Sequence, residues 1–217
     1  MQSSRDKVAE FMRHIGSETP DSVTDRDPAI AGVRISLIME ELHETHKAML
    51  AGDPVETADG FADLKYVVIG TAVAYGLPID DFFYAPFPIN EPPNAVSAAS
   101  LMLAVTPWLR DVAYALAGRE DLGSILHGLD VALSMEAAAL GLPLREVFDE
   151  VHRSNMTKEG GYRIGAAKYG AGGGKGPGYS APGIASVLGR HICRHANVVT
   201  MDAMPPIDVC QDCGDVL

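Results

Sequence analysis

The chain has 217 residues, 47% of them hydrophobic, enough for one large or two small cores. A formal net charge of −12 argues against a nucleic-acid partner, which calls for a basic face. No apolar run reaches the ~18–20 residues that span a bilayer, and Met1-Gln-Ser-Ser-Arg-Asp-Lys7 has no apolar signal region. The expectation is a cytoplasmic protein, not bound to membrane, whose three cysteines are reduced or metal-bound.

Helices are expected near Arg5–Ile15, Ala29–Leu50, Asp59–Tyr75, Val96–Ala117, Leu122–Leu140 and Leu144–Arg153, with Pro107 kinking the fourth. Little alternates with a period of two, so the fold class is an all-α helical bundle. Pro86, Pro88, Pro92 and Pro93 mark a stiff connector ahead of the fourth helix.

The second helix carries Glu40, Glu41 and Glu44 within one narrow arc. Like charges at that spacing repel, so a cation is expected to hold them, and oxygen donors suit Mg²⁺ or Mn²⁺. The third helix is apolar on nearly every face yet carries Asp63, a carboxylate whose burial is costly unless a cation meets it. Residues 51–57 read as a short loop, which makes the two helices antiparallel neighbours with Glu44 and Asp63 at similar depth and Glu40 a turn deeper. A solvated acidic face accounts for Glu41 and Glu44 but poorly for Asp63. Asp59 reads either as a further ligand or as the N-terminal cap of its helix, and Glu56 as part of the loop.

Ala74-Tyr-Gly-Leu-Pro-Ile-Asp-Asp-Phe-Phe83 echoes Ala139-Leu-Gly-Leu-Pro-Leu-Arg-Glu-Val-Phe148, each after a long apolar helix. Two related helical hairpins would explain this, with the acidic cluster kept in the first, since the second has Asp130 and Glu136 but no Glu-Glu-x-x-Glu. Gly-Leu-Pro is also simply a good helix stop and restart.

From Met156 to Gly183 the chain is rich in Gly and Lys, with Lys158, Lys168 and Lys175 among the glycines. This reads as a cationic loop able to close over phosphates, or as an ordinary linker. The tail holds His191, Cys193, His195, Cys210 and Cys213, a set suited to one structural Zn²⁺, with a reduced, unliganded tail as the alternative. The expected division is a helical domain over 1–158, a phosphate-closing loop over 159–188 and a zinc-stapled tail over 189–217.

Glu40-Glu-Leu-His-Glu44, Asp59-Gly-Phe-Ala-Asp-Leu-Lys-Tyr-Val-Val-Ile-Gly-Thr-Ala72 and Val147-Phe-Asp-Glu-Val-His-Arg-Ser-Asn-Met-Thr-Lys158 together resemble the MazG-like all-α nucleoside triphosphate pyrophosphohydrolases. Lys-Gly-Pro-Gly-Tyr at 175–179 and Ala-Pro-Gly-Ile at 181–184 look like the tail of phage and bacterial members, and the pattern is similar to phage MazZ-type enzymes that process (d)GTP. The chain departs from the family where Gly60 stands in place of a metal-binding Glu, with Asp59 one residue earlier.

The resemblance implies Mg²⁺-dependent cleavage of a nucleoside triphosphate, a purine one such as (d)GTP, to monophosphate and pyrophosphate. Glu40, Glu41, Glu44, Asp59 and Asp63 would hold two or three ions, with Glu41 and Glu44 taking part in the chemistry. Lys158, Lys168 and Lys175 would grip phosphates, with Asn155 ordering their loop. A base pocket is expected between helices beside the third, and a homodimer or homotetramer on analogy with the family. Phosphoribosyl-ATP or dUTP as substrate, or a non-catalytic zinc-stapled adaptor, are the competing expectations.

Overall fold

The computed structural model describes residues 2–23, 28–80, 82–87, 92–118, 121–159, 174–191, 198–201 and 207–210. Among them are α1 (Ser4–His14), α2 (Pro28–Ala51), α3 (Pro54–Ala74), α4 (Ala95–Leu116), α5 (Leu122–Ala139), α6 (Leu144–Asn155) and α7 (Ile184–His191). The all-α class holds, and α4 runs through Pro107 as one helix. The tail departs from expectation: β1 (Val198–Met201) and β2 (Ile207–Cys210) form an antiparallel pair, with Val198 opposite Cys210. Four-residue segments are too short for their periodicity to stand out.

α3 is the axis of the molecule. It packs against α1, α2, α5, α6 and α7, while α2 and α5 each also pack on α4. Phe61, Leu64 and Val68 from α3 meet Leu101 of α4, Leu129 of α5 and Phe148 of α6 in one continuous core of buried side chains. Burial of this order, about 1.5–3 kcal/mol per large apolar side chain, is what orders helices of such modest intrinsic propensity.

The α2–α3 hairpin turns on two residues. Gly52 takes φ +68°, and Asp53 donates its N–H to the Ala48 carbonyl, closing α2 with a Schellman end. The Asp53 carboxylate then accepts from the N–H groups of Val55 and Glu56 and caps α3, with Pro54 in its first turn. α3 therefore begins five residues before the expected Asp59. The expected loop over 51–57 shrinks to a tight turn, Glu56 belongs to the helix, and Asp59 lies inside the second turn rather than capping it.

The echoed segments end their helices alike. Leu77 N–H bonds the Ala72 carbonyl and Leu142 N–H the Ala137 carbonyl, with Gly76 at φ +64° and Gly141 at φ +67°. The connector after α3 crosses back over α5, where Phe87 N–H meets the Ala138 carbonyl.

Candidate metal and phosphate site

The close contact that builds the site lies between α2 and α3. A Cβ placed on Gly60 would stand 2.9 Å from the Thr45 Cα and 2.7 Å from its Oγ1, so the helices touch where the chain has no side chain. Thr45 is itself fully buried and donates its hydroxyl to the Glu41 carbonyl at 2.7 Å. This contact sets the register: with Thr45 opposite Gly60 on antiparallel helices, Asp63 comes level with position 42, between Glu41 and Glu44.

Glu40, Glu41, Asp59 and Asp63 are half-buried and Glu44 is exposed. Burial first, then the charges of Asp63, Glu44 and Glu40, push the Glu41 carboxyl up to about 8 against the opposing pull of Lys158. Asp63 is pushed up to about 7 by burial, Asp59 and Glu44, with Lys158 and Lys175 acting the other way. Asp59 is raised by burial and by Glu56, again opposed by both lysines. Glu41 is thus half-buried among like charges rather than set on a fully solvated face.

Both lysines reach the cluster from one neck of the chain. Glu159 and Gly174 form an isolated antiparallel bridge, exchanging N–H···O bonds of 2.9 and 3.0 Å, with Lys158 and Lys175 immediately outside it. Lys158 lies with its Nζ 5.8 Å from the Phe11 ring centroid, and Lys175 with its Nζ 5.1 Å from that of Tyr179. Lys168 falls outside the described residues.

Asn155, at the end of α6, is buried and shares a side-chain hydrogen bond with Tyr66, whose hydroxyl also lies 2.9 Å from Nδ1 of His152. Burial raises the Tyr66 proton affinity and lowers that of His152. This junction of α1, α3 and α6 was missed in the sequence, although a hydroxyl on an otherwise apolar helix, one turn after Asp63, requires a partner.

The donor set fits a hard divalent cation: carboxylate oxygens without sulfur or imidazole, crowded enough to retain protons near neutral pH. Among the described residues no three His, Cys, Asp or Glu side chains stand in a ready-made ligating arrangement. An open acidic face of this kind matches Mg²⁺, which keeps waters and completes its shell with phosphate oxygens.

Two clefts lie away from the cluster, one between α4 and α5 beside Asn94 and Glu136, the other between α6 and α7 beside Glu146 and Arg190. Neither is the base pocket expected beside α3. Of the tail's zinc candidates, His191 ends α7 and is exposed. Cys210 ends β2, and Cys193, His195 and Cys213 lie outside the described residues. α7 also runs across residue 188, so the ordered return of the expected loop belongs to the helical body.

Residues 8–85 match the model of the phosphoribosyl-ATP pyrophosphohydrolase family. That span is roughly a third of the chain and holds all five carboxylates. Over 174 residues the chain is 26% identical to an uncharacterized protein, L479, of Acanthamoeba polyphaga mimivirus, covering 70% of this chain and 69% of that one. No solved structure matches. The family match points to a nucleotide pyrophosphohydrolase.

Proposed function

We propose that this chain is a Mg²⁺- or Mn²⁺-dependent pyrophosphohydrolase that converts a purine (d)NTP, (d)GTP foremost, to (d)NMP and pyrophosphate. What supports this reading is that Glu41, Asp59 and Asp63 each feel the charges of neighbouring carboxylates on α2 and α3, with Lys158 opposing all three and Lys175 the two aspartates. Carboxylates and lysines in that relation suit a metal–triphosphate complex: the acids hold cations and the lysines the phosphate oxygens that remain. Glu40, Glu41, Glu44, Asp59 and Asp63 would hold two or three such ions, which would supply charge neutralisation and acidify a water.

The chain's own residues divide the remaining work. Glu41, faced by Asp63 and with Glu44 beside it, would accept the proton of the attacking water as a carboxylate once bound cations have displaced its own proton. Lys158 and Lys175 hold the β- and γ-phosphates as the anhydride bond to the α-phosphate breaks, and pyrophosphate leaves on them. Asn155, fixed by Tyr66, sets the end of α6 from which Lys158 extends. The exposed apolar side chains of α4, Val96 and Leu103 at 80% and Tyr114 at 44%, support a homodimer or homotetramer. Among the described residues no single helix is long and apolar enough to cross a membrane.

A second reading, phosphoribosyl-ATP as the substrate, is favoured by the family model that matches residues 8–85. It breaks the same type of bond in a purine triphosphate, so the site described would serve it unchanged. A panel of (d)NTPs, dUTP and phosphoribosyl-ATP with Mg²⁺ or Mn²⁺, products resolved by chromatography, separates the readings. Monophosphate and pyrophosphate from a purine (d)NTP supports the first and turnover of phosphoribosyl-ATP alone the second. No turnover of any of them removes both in favour of a non-catalytic adaptor with a zinc-stapled tail.

A further inference from the structure

We infer that Arg153 and Glu150 are positioning residues that clip the return limb of the Gly-rich segment onto α6, and so hold Lys175 beside Lys158 over Asp59 and Asp63. The inference rests on the proposed function and adds to it how the second phosphate-gripping lysine is aimed.

Arg153 spans the two segments. Its Nε donates to both Glu150 carboxylate oxygens at 3.0 and 2.9 Å, its Nη2 to Glu150 Oε1 at 2.8 Å and to the Ala181 carbonyl at 2.9 Å, and its Nη1 to the Ser180 hydroxyl at 3.2 Å. Glu150 Oε1 accepts a further bond, 2.7 Å, from the Gly183 N–H. Thr157 adds a third attachment, its Oγ1 accepting from the Ser180 N–H at 2.9 Å. An isolated exposed ion pair contributes little, but here the guanidinium fork holds the Ser180 hydroxyl and the Ala181 carbonyl while its partner Glu150 holds the Gly183 N–H.

The clip is coupled to Lys175 by a short, stiff path. Tyr179 N–H returns to the Gly176 carbonyl at 3.0 Å, closing a turn with Pro177 at its second position. The Lys175 ammonium rests on the Tyr179 ring, one residue from Ser180. On the other side the Glu159–Gly174 bridge ties Gly174 to the residue after Lys158. Lys175 is therefore held from both sides within its own chain.

The test is a double-mutant cycle on the full chain, using Arg153→Ala, Arg153→Lys, Lys175→Ala and Arg153→Ala/Lys175→Ala, with Tm as the check on folding. The expected result with the preferred triphosphate is about a tenfold rise in KM for Arg153→Ala with kcat within about twofold. The double variant should be no worse than Lys175→Ala, and Arg153→Lys should recover part of the loss. Additive effects of Arg153→Ala and Lys175→Ala overturn the inference, because Arg153 then acts otherwise than through Lys175. Hydrogen exchange over 176–183 reads the clip without turnover: faster exchange in Arg153→Ala supports it and unchanged exchange overturns it. That arm stands even if the wild-type chain hydrolyses none of the nucleotides, which would sink the proposed function alone.

Discussion

Lys65 Nζ lies 2.6 Å from Asp130 Oδ1, with both side chains fully buried and the two residues 65 positions apart in the chain. The echoed helix ends, Gly76 and Gly141, are separated by the same interval, so the ion pair joins equivalent positions of the two hairpins. Phe83 and Phe148, also equivalent, touch with ring centroids 5.9 Å apart. Lys65 is further held by the Phe82 carbonyl at 2.7 Å and the Ser134 hydroxyl at 3.2 Å. Removing one partner leaves a buried charge, so Lys65→Met or Asp130→Leu should each cost about 3–5 kcal/mol in urea unfolding. The double variant should recover most of that loss; equal loss in single and double variants would show that packing, not charge, is at stake.

Gly60 is the second point where a single change should propagate. With the Thr45 Cα 2.9 Å from where a Cβ would stand, Gly60→Ala must push α2 and α3 apart. An overpacking cost of about 1–3 kcal/mol is expected, together with weaker Mg²⁺ binding as the two carboxylate rows separate. Thr45→Ala should not rescue it, because the Thr45 Cα remains in the way. Isothermal titration with Mg²⁺ on both variants decides this.

α1 to α6 were legible because long amphipathic and apolar segments betray themselves by period, and most ends fell within a residue or two, whereas the eight-residue α7 was read as loop and tail. The start of α3 was not legible, because Asp59 offered a second cap signal and hid the stronger Asp53-Pro54 pair. Spacing alone grouped the five carboxylates, but it left Glu41 open between a ligand and a solvated residue, and its burial against α3 was not legible. Lys65 was unreadable as an ion-pair member, since its partner lies in another hairpin. The 65-residue interval between Lys65 and Asp130 also shows what the second hairpin lacks. The equivalents of Glu41 and Asp63 are Thr106 and Gly128, and Trp108 packs so closely that a Cβ on Gly128 would lie 2.3 Å from its ring.

Glu41→Gln and Asp63→Asn are near-isosteric and remove a charge from a crowded acidic face, so they should leave the fold intact or slightly more stable without metal. Turnover should fall by about 100-fold or more, because the charge that holds the cations and accepts the proton is gone. Circular dichroism together with pyrophosphate release is the measurement. Activity within about threefold of wild type in either variant would remove that residue from the site.

The same two carboxyls make the metal-free protein sensitive to alkali. Raised to about 8 for Glu41 and about 7 for Asp63 in the folded state, they bind more protons there than in the unfolded chain. Stability falls with rising pH wherever the folded state holds the extra protons. The contribution is fully present below the ordinary carboxylate range and is lost progressively as pH climbs from about 4 through 8. Tm in EDTA should therefore drop between pH 5.5 and pH 8.5, and millimolar Mg²⁺ at pH 8.5 should reverse most of the drop by replacing the lost protons with cations. The Glu41→Gln/Asp63→Asn variant should show a flatter profile and little response to Mg²⁺. A slope unchanged in that variant would assign the alkaline loss to the overall −12 charge instead of to this cluster.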